Sequence, residues 1–228
     1  MQAVILCAGK GTRMGELTTH VPKPLLLVNG KTLLEHKLDR LPDSVSEVIL
    51  VIGYLGEKIK EKIGSEYNGR PIRYAEDTQL TGTAHALWSA RDLLNGRFLV
   101  MMGDDIYDTQ ALEACAQHNF AIACVPVTRD ETGSRIVLNE SDNLIDFVTH
   151  KWYLTIRENG GHVFTGLYSL TTDIFNYEPV KLETKEEWGL PQTLLIAAKD
   201  HPVKIIETNN WISITHEDDL VEAAKLLI

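Results

Sequence analysis

The residues best suited to chemistry lie in positions 6–26, LCAGKGTRMGELTTHVPKPLL. Gly9 and Gly11 follow a short apolar run, and a glycine loop there lets backbone N–H groups close around an anion without obstruction by Cβ atoms. Thr12-Arg13 and Lys23 add a hydroxyl and two cations to the same connection. Pro22 and Pro24 flank Lys23 and stiffen the backbone that carries it. A Gly-x-Gly alone is an ordinary strand-loop-helix turn; with Arg13 and Lys23 added, the segment reads as a polyphosphate pocket. A second cluster, Met101-Met102-Gly103-Asp104-Asp105, ends another apolar run in carboxylates. At the carboxyl edge of a sheet such a carboxylate can hold Mg²⁺ against phosphate oxygens. No Ser–His pair is evident, and the eight histidines form no HxxxH-type ligand pair. The inventory therefore favours aligning phosphates and cancelling their charge over covalent catalysis.

The first segment resembles the signature of the sugar-phosphate nucleotidyltransferases, the family of glucose-1-phosphate thymidylyl- and uridylyltransferases and mannose-1-phosphate guanylyltransferases. It differs from the Rossmann fingerprint, whose third glycine is missing, and from a Walker A loop. The resemblance implies a doubly wound α/β fold and transfer of a nucleoside monophosphate from an NTP to a sugar 1-phosphate, with pyrophosphate released. It implies that Leu6, Ala8, Gly9, Gly11 and Thr12 cradle the nucleotide, that Arg13 contacts its β- and γ-phosphates, and that Lys23 bridges the reacting phosphates. Asp104 matches the metal ligand, and Mg²⁺ is the implied cofactor. Gly82-Thr83-Ala84-His85 is similar to the family's LGTA element, with Thr81 where leucine is usual, and leans towards UTP or dTTP. Glu76 and Gln79, just upstream, are candidates for reading the base.

In the second half the likeness is thinner. Lys151 stands where the lysine of an EKP element would meet the sugar phosphate, but His150 and Trp152 replace its neighbours. Gly166 falls in a GIY-like strand, and Glu187 in an element whose glutamate binds sugar hydroxyls. Trp211-Ile212-Ser213-Ile214 aligns on a motif whose second metal-binding aspartate is Ser213 here, a neutral and poorer Mg²⁺ ligand. Asp105 and Glu217 are the nearby acids that could compensate. Three other readings share these residues: a non-catalytic relative that binds a nucleotide, a glycosyltransferase using Asp104-Asp105, and a cytidylyltransferase for another phosphorylated small molecule.

The elements that must position these groups follow from periodicity. An unbroken apolar run at 3–8 and apolar-rich stretches at 45–54, 98–102 and 121–127 predict buried strands, with a shorter strand at 72–75. Between them, Thr32-Leu-Leu-Glu35 reads as a capping box, and helices are expected at 57–63, 83–94 and 111–117. Alternating strands and helices argue for a mostly parallel, doubly wound sheet up to residue 127. Strands at 136–138, 144–149 and 163–170 with polar turns predict an antiparallel extension, followed by a helix at 190–199, a strand at 203–207 and a closing helix at 218–227. The expected organisation is one domain over 1–228, with a nucleotide half (1–127), a sugar-phosphate half (128–228) and no appended repeat domain.

Composition narrows the partners. The net charge of −10, without a basic run, argues against nucleic acid, while a few placed cations still suit small anions. Cys7, Cys115 and Cys124 lie in apolar segments without metal-ligand spacing and read as reduced core residues. No segment has the length or flanks of a signal peptide or membrane span. A cytoplasmic protein is expected, with a homo-oligomer compatible with the chain.

Overall fold

The computed structural model describes residues 1–126, 135–138, 144–148 and 161–227. Its centre is a sheet whose parallel strands are β1 (Gln2–Cys7), β2 (Glu47–Ile52), β3 (Arg70–Glu76) and β4 (Arg97–Met102), in the order β3-β2-β1-β4. The period-2 alternation of strand side chains sends successive residues to opposite faces. Val4, Ile49, Val51, Phe98 and Val100 join one core with Leu87 and Ala90 of helix α3 (Thr83–Ser89) and the turn after it. Ala3, Ile5, Leu50 and Leu99 join another with helices α1 (Leu33–Asp39) and α2 (Gly56–Ile63). Both faces of β1, β2 and β4 are covered, which is why these strands are apolar beyond their first residues, whereas β3, nearer the edge of the sheet, carries Arg70, Arg73 and Glu76. The Thr32–Glu35 capping box forms in both directions and sets where α1 begins.

Beyond β4 the sheet turns mixed. After β5 (Asp105–Tyr107) and helix α4 (Thr109–Ala116) comes β6 (Ala121–Pro126); β7 (Arg135–Leu138), β8 (Leu144–Val148) and the long β9 (His162–Thr171) follow. β9 runs antiparallel to β4, β6 and β7, so it joins the expected antiparallel extension to the parallel sheet. Helix α5 (Leu190–Ala197) packs against α3 and β8, and its Leu190, Leu194 and Ala197 join the core that α3 shares with the sheet. β10 (Lys204–Glu207) then returns parallel to β6. β11 (Trp211–Ser213) pairs antiparallel with β5, an interaction that periodicity does not reveal because both strands are only three residues long. Helix α6 (Glu217–Leu226) closes the described chain.

The pairing of β9 with β6 slips between Phe164 and Tyr168, and Gly166 sits in that bulge with φ +80°. A Cβ there would lie 2.7 Å from Met102 Cγ and 3.4 Å from the Tyr107 hydroxyl. Gly166→Ala is therefore expected to destabilise the protein by about 1–3 kcal/mol, the cost of forcing an L-residue into this conformation. A urea midpoint lowered at unchanged m-value would bear this out, and an unchanged midpoint would refute it.

All three cysteines are buried and unpaired. Burial pushes the Cys7, Cys115 and Cys124 thiols up to about 12. Ellman's reagent at pH 8 should find no fast-reacting thiol in the native protein and all three after denaturation; a rapid native reaction would contradict the packing.

Candidate active site

Three strand ends converge on one cleft, as expected at the carboxyl edge of an open parallel sheet. β1 delivers Leu6 to Arg13, β3 leads into Asp77, Gln79 and Leu80, and β4 leads into Gly103 and Asp104. Gly82, Thr83, Lys23, Pro24 and Glu187 complete the wall of a space of about 600 Å³. Thr18 ties the first loop down by donating to the Gly11 carbonyl at 3.0 Å, and Met14 N donates to the same oxygen at 2.9 Å. This loop is irregular 3-10 structure over Thr12–Thr18, with Met14 and Thr18 as its buried anchors and Arg13 exposed on the cleft side.

The decisive contact joins the two motifs. Lys23 Nζ donates to Asp104 Oδ2 at 2.6 Å across 81 residues of sequence. Lys23 is 5% exposed, whereas the Asp104 side chain retains a third of its accessibility and opens onto the cleft. Lys23 begins a short 3-10 turn, Lys23–Leu25, with Pro24 inside it, which limits where the ammonium can go.

Below Asp104 lies a buried polar layer. Asp105 is 7% exposed and faces away from the cleft wall, opposite Ser213 in the β5–β11 pair. Burial pushes its carboxyl up to about 7, the Asp104 charge adds to the rise, and the Lys37 ammonium with polar groups of Trp211 and Ser213 opposes it. Lys37, fully buried on α1, donates to the Asp105 carbonyl, and burial holds its own pKa below the ordinary lysine value. Tyr107 donates to the Thr165 carbonyl at 3.1 Å and accepts from Met102 N at 3.3 Å, tying β9 to the end of β4. The acid beside Ser213 is thus Asp105, while Glu217 is exposed in the first turn of α6. Among the described residues, no three of His, Cys, Asp and Glu converge as a metal cage.

Of the residues singled out in the sequence, Leu6, Ala8, Gly9, Gly11, Thr12, Arg13, Lys23, Gln79, Gly82, Thr83, Asp104 and Glu187 line this one cleft. Two others do not. Glu76 ends β3 facing outward, where its carboxylate pairs with Lys60 at 2.9 Å, and the next residue turns in instead. That residue, Asp77, is 5% exposed and accepts from the amides of Gln79 and Leu80 at 3.1 and 3.0 Å, aiming both towards the cleft. An acid two residues before Gln79 is a typical turn-forming signal. Gly166 lies behind the wall, against Met102 and the β5 residues. Lys151 falls outside the described residues. Lys10 is a further cation on the cleft that sequence reasoning passed over.

A family model for nucleotidyl transferases matches residues 2–227. The chain belongs to the nucleotidyl transferase family. Relatives of this nucleotidyl transferase include the bifunctional protein GlmU of Methanocaldococcus jannaschii, 31% identical over all of this chain and 54% of its own length. The chain thus spans about half the length of the GlmU proteins it matches. The UTP–glucose-1-phosphate uridylyltransferase AglF of Haloferax volcanii is 30% identical over all of this chain and 96% of its own length. The fold likeness extends to a Bacillus anthracis structure described as a glucose-1-phosphate thymidylyltransferase, with a TM-score of 0.82 at 20% identity over 99% of this chain and 94% of that one. It extends also to HddC from Yersinia pseudotuberculosis, with a TM-score of 0.78 at 21% identity over 100% and 99% of the two chains. In both, the mixed α/β fold with its large, mostly parallel sheet is shared.

Proposed function

We propose that this nucleotidyl transferase moves a uridylyl or thymidylyl group from UTP or dTTP to a sugar 1-phosphate and releases pyrophosphate. The observation that carries the reading is the Lys23–Asp104 contact at 2.6 Å, placed where the Gly9–Arg13 loop and the end of β4 meet. A phosphate monoester loses its second proton near pH 6, so at neutral pH the attacking oxygen is already anionic and needs no general base. What the site must supply is alignment of two polyanions and relief of their repulsion around the α-phosphorus. Lys10, Arg13 and Lys23 bring three cations to one wall, and backbone N–H groups of the glycine loop add donors that cost no reorganisation. The acceptor oxygen bonds to the α-phosphorus as the bond to the leaving pyrophosphate breaks, with Lys23 placed to hold the charge there. Gln79, with both a donor and an acceptor on its amide, suits the edge of a uracil or thymine ring. Glu187, on the far wall, suits hydroxyls of the acceptor.

Mg²⁺ fits the donor set. The Asp104 carboxylate is a hard oxygen ligand open to the cleft, and Mg²⁺ is commonly held by one or two carboxylates plus substrate phosphates and water. When bound, the ion would supply charge neutralisation at the phosphate oxygens. Ser213 then leaves Asp104 as the principal protein ligand, with Asp105 behind it. The protein is proposed to act in the cytoplasm on small phosphorylated partners.

A second reading has its own support. A relative 34% identical over 77% of this chain and 29% of its own length, from Streptomyces rubellomurinus, is named CMP-5′-(3-aminopropyl)phosphonate synthase. Cytidylyl transfer to a phosphonate or phosphate bearing an amine would keep the same phosphate chemistry and place the amine near Glu187. A matrix of UTP, dTTP, CTP, GTP and ATP against glucose 1-phosphate, mannose 1-phosphate, phosphocholine and an aminoalkylphosphonate, read by pyrophosphate release, separates the two. Fastest release with UTP or dTTP and a sugar 1-phosphate is expected. Preference for CTP with an amine acceptor would replace the first reading by the second, and no release with any pair would overturn both.

A further inference from the structure

The cleft is bridged by a contact that the phosphate chemistry does not use. Val180–Lys181 and Trp188–Gly189 pair antiparallel to form a small hairpin, and Glu187 on its return limb reaches the cleft. That hairpin is sewn to the segment entering α3. Trp188 N donates to the Thr81 carbonyl at 2.7 Å, and Leu190 N donates to Thr83 Oγ1 at 3.0 Å. The two backbones pass so closely that a Cβ on Gly82 would lie 2.5 Å from the Trp188 carbonyl oxygen, an approach only glycine allows. Side chains reinforce the seam. The His85 imidazole stacks on the Trp188 indole with centroids 4.4 Å apart and planes 21° from parallel, and its Nδ1 is held by Thr81 Oγ1 at 2.7 Å. The Lys181 ammonium lies 5.5 Å from the same indole centroid.

We propose that Trp188, gripped by His85 and Lys181, is a positioning residue that latches the Val180–Gly189 hairpin to the Thr81–Thr83 segment and so holds Glu187 against the acceptor. The physical need is plain. The tip of the hairpin, residues 183–187, is polar and exposed or half-buried, with little apolar packing to keep a carboxylate in place. An aromatic stack adds directional hold beyond its area, and here it lies one residue from the carboxylate that it would orient. The hydrogen bonds made by Trp188 N and Leu190 N, on either side of Gly189, then act as the stitches and the stack as the clasp.

The test removes the clasp from the side that does not carry Glu187. In His85→Ala, amide hydrogen exchange at Trp188 and Leu190 is expected to speed up by roughly tenfold or more, while β1 and β4 amides keep wild-type rates. Trp188→Ala should do the same to Leu190, with Trp188→Phe restoring slow exchange. Wild-type exchange at these amides in His85→Ala overturns the latch whatever the substrates of the enzyme prove to be. The kinetic arm rests on the proposed transfer to a sugar 1-phosphate, which wild-type pyrophosphate release establishes or removes independently. Given that activity, both alanine variants should raise the acceptor KM by roughly tenfold and leave the NTP KM within about twofold, and the double variant should be no worse than Trp188→Ala alone. Faster exchange with an unchanged acceptor KM, or an equal rise in both KM values, would overturn the positioning of Glu187.

Discussion

Lys23→Ala is expected to lower turnover by roughly a hundredfold or more, about 2.7 kcal/mol of lost transition-state stabilisation. The ammonium is nearly buried, placed by Pro22 and Pro24, and bonded to Asp104 at 2.6 Å, so its charge is fixed where the two motifs meet. Its removal withdraws a positive charge from the point where two phosphate groups must approach. Because Asp104 is a third exposed, its carboxylate can be solvated once Lys23 is gone, and the effect on folding should be smaller than for a fully buried pair. Lys23→Met, which keeps the aliphatic stem and its packing, separates the two effects. It should fold like the parent and still lose the same factor in steady-state rate. Arg13→Ala, which removes the exposed cation of the same loop, should also lose roughly a hundredfold while leaving the unfolding midpoint untouched. Near wild-type turnover in both the Lys23 and the Arg13 variants would remove this loop from the chemistry.

Asp104→Asn carries the second large effect, and its signature is different. The amide keeps the size of the side chain and one oxygen but loses the charge that would attract Mg²⁺. The magnesium concentration for half-maximal rate should therefore rise by roughly tenfold or more, since even groups that merely support a metal ligand affect affinity on that scale. Turnover at saturating magnesium should stay well below that of the parent, because Lys23 loses its charged partner at the same time. Calorimetric titration with magnesium and a non-hydrolysable NTP gives a reading that does not depend on activity. An unchanged metal titration would take Asp104 out of the metal site and leave it only as an anchor for Lys23.

Much of this site was legible before any fold was known, because its parts are local. The glycines, Thr12, Arg13 and the proline-flanked Lys23 lie within 15 residues of one another, and the short-range chemistry of a loop survives into the folded state. Likewise Asp104 was placed by the apolar run it terminates, which can only be a buried strand. Glu76 shows where such reasoning stops. Whether the last residue of a strand or the next one turns into a cleft depends on strand parity and on the turn that follows. Here the Asp77 carboxylate fixes that turn through two backbone amides, and Glu76 is left outside with Lys60.

By itself the sequence determined the alternation of buried strands and amphipathic helices, the capping box that starts α1 and the glycine loop that follows β1 into the cleft, since each depends on neighbours within a few residues. Only the tertiary structure decided that Lys23 meets Asp104, that Ser213 stands opposite Asp105 on paired strands, and that the hairpin bearing Glu187 is clasped by His85. These contacts join residues 81, 108 and 103 positions apart. Neither propensity nor periodicity encodes such pairings; they follow from strand order and register, which are set by how the two faces of one sheet are buried at once.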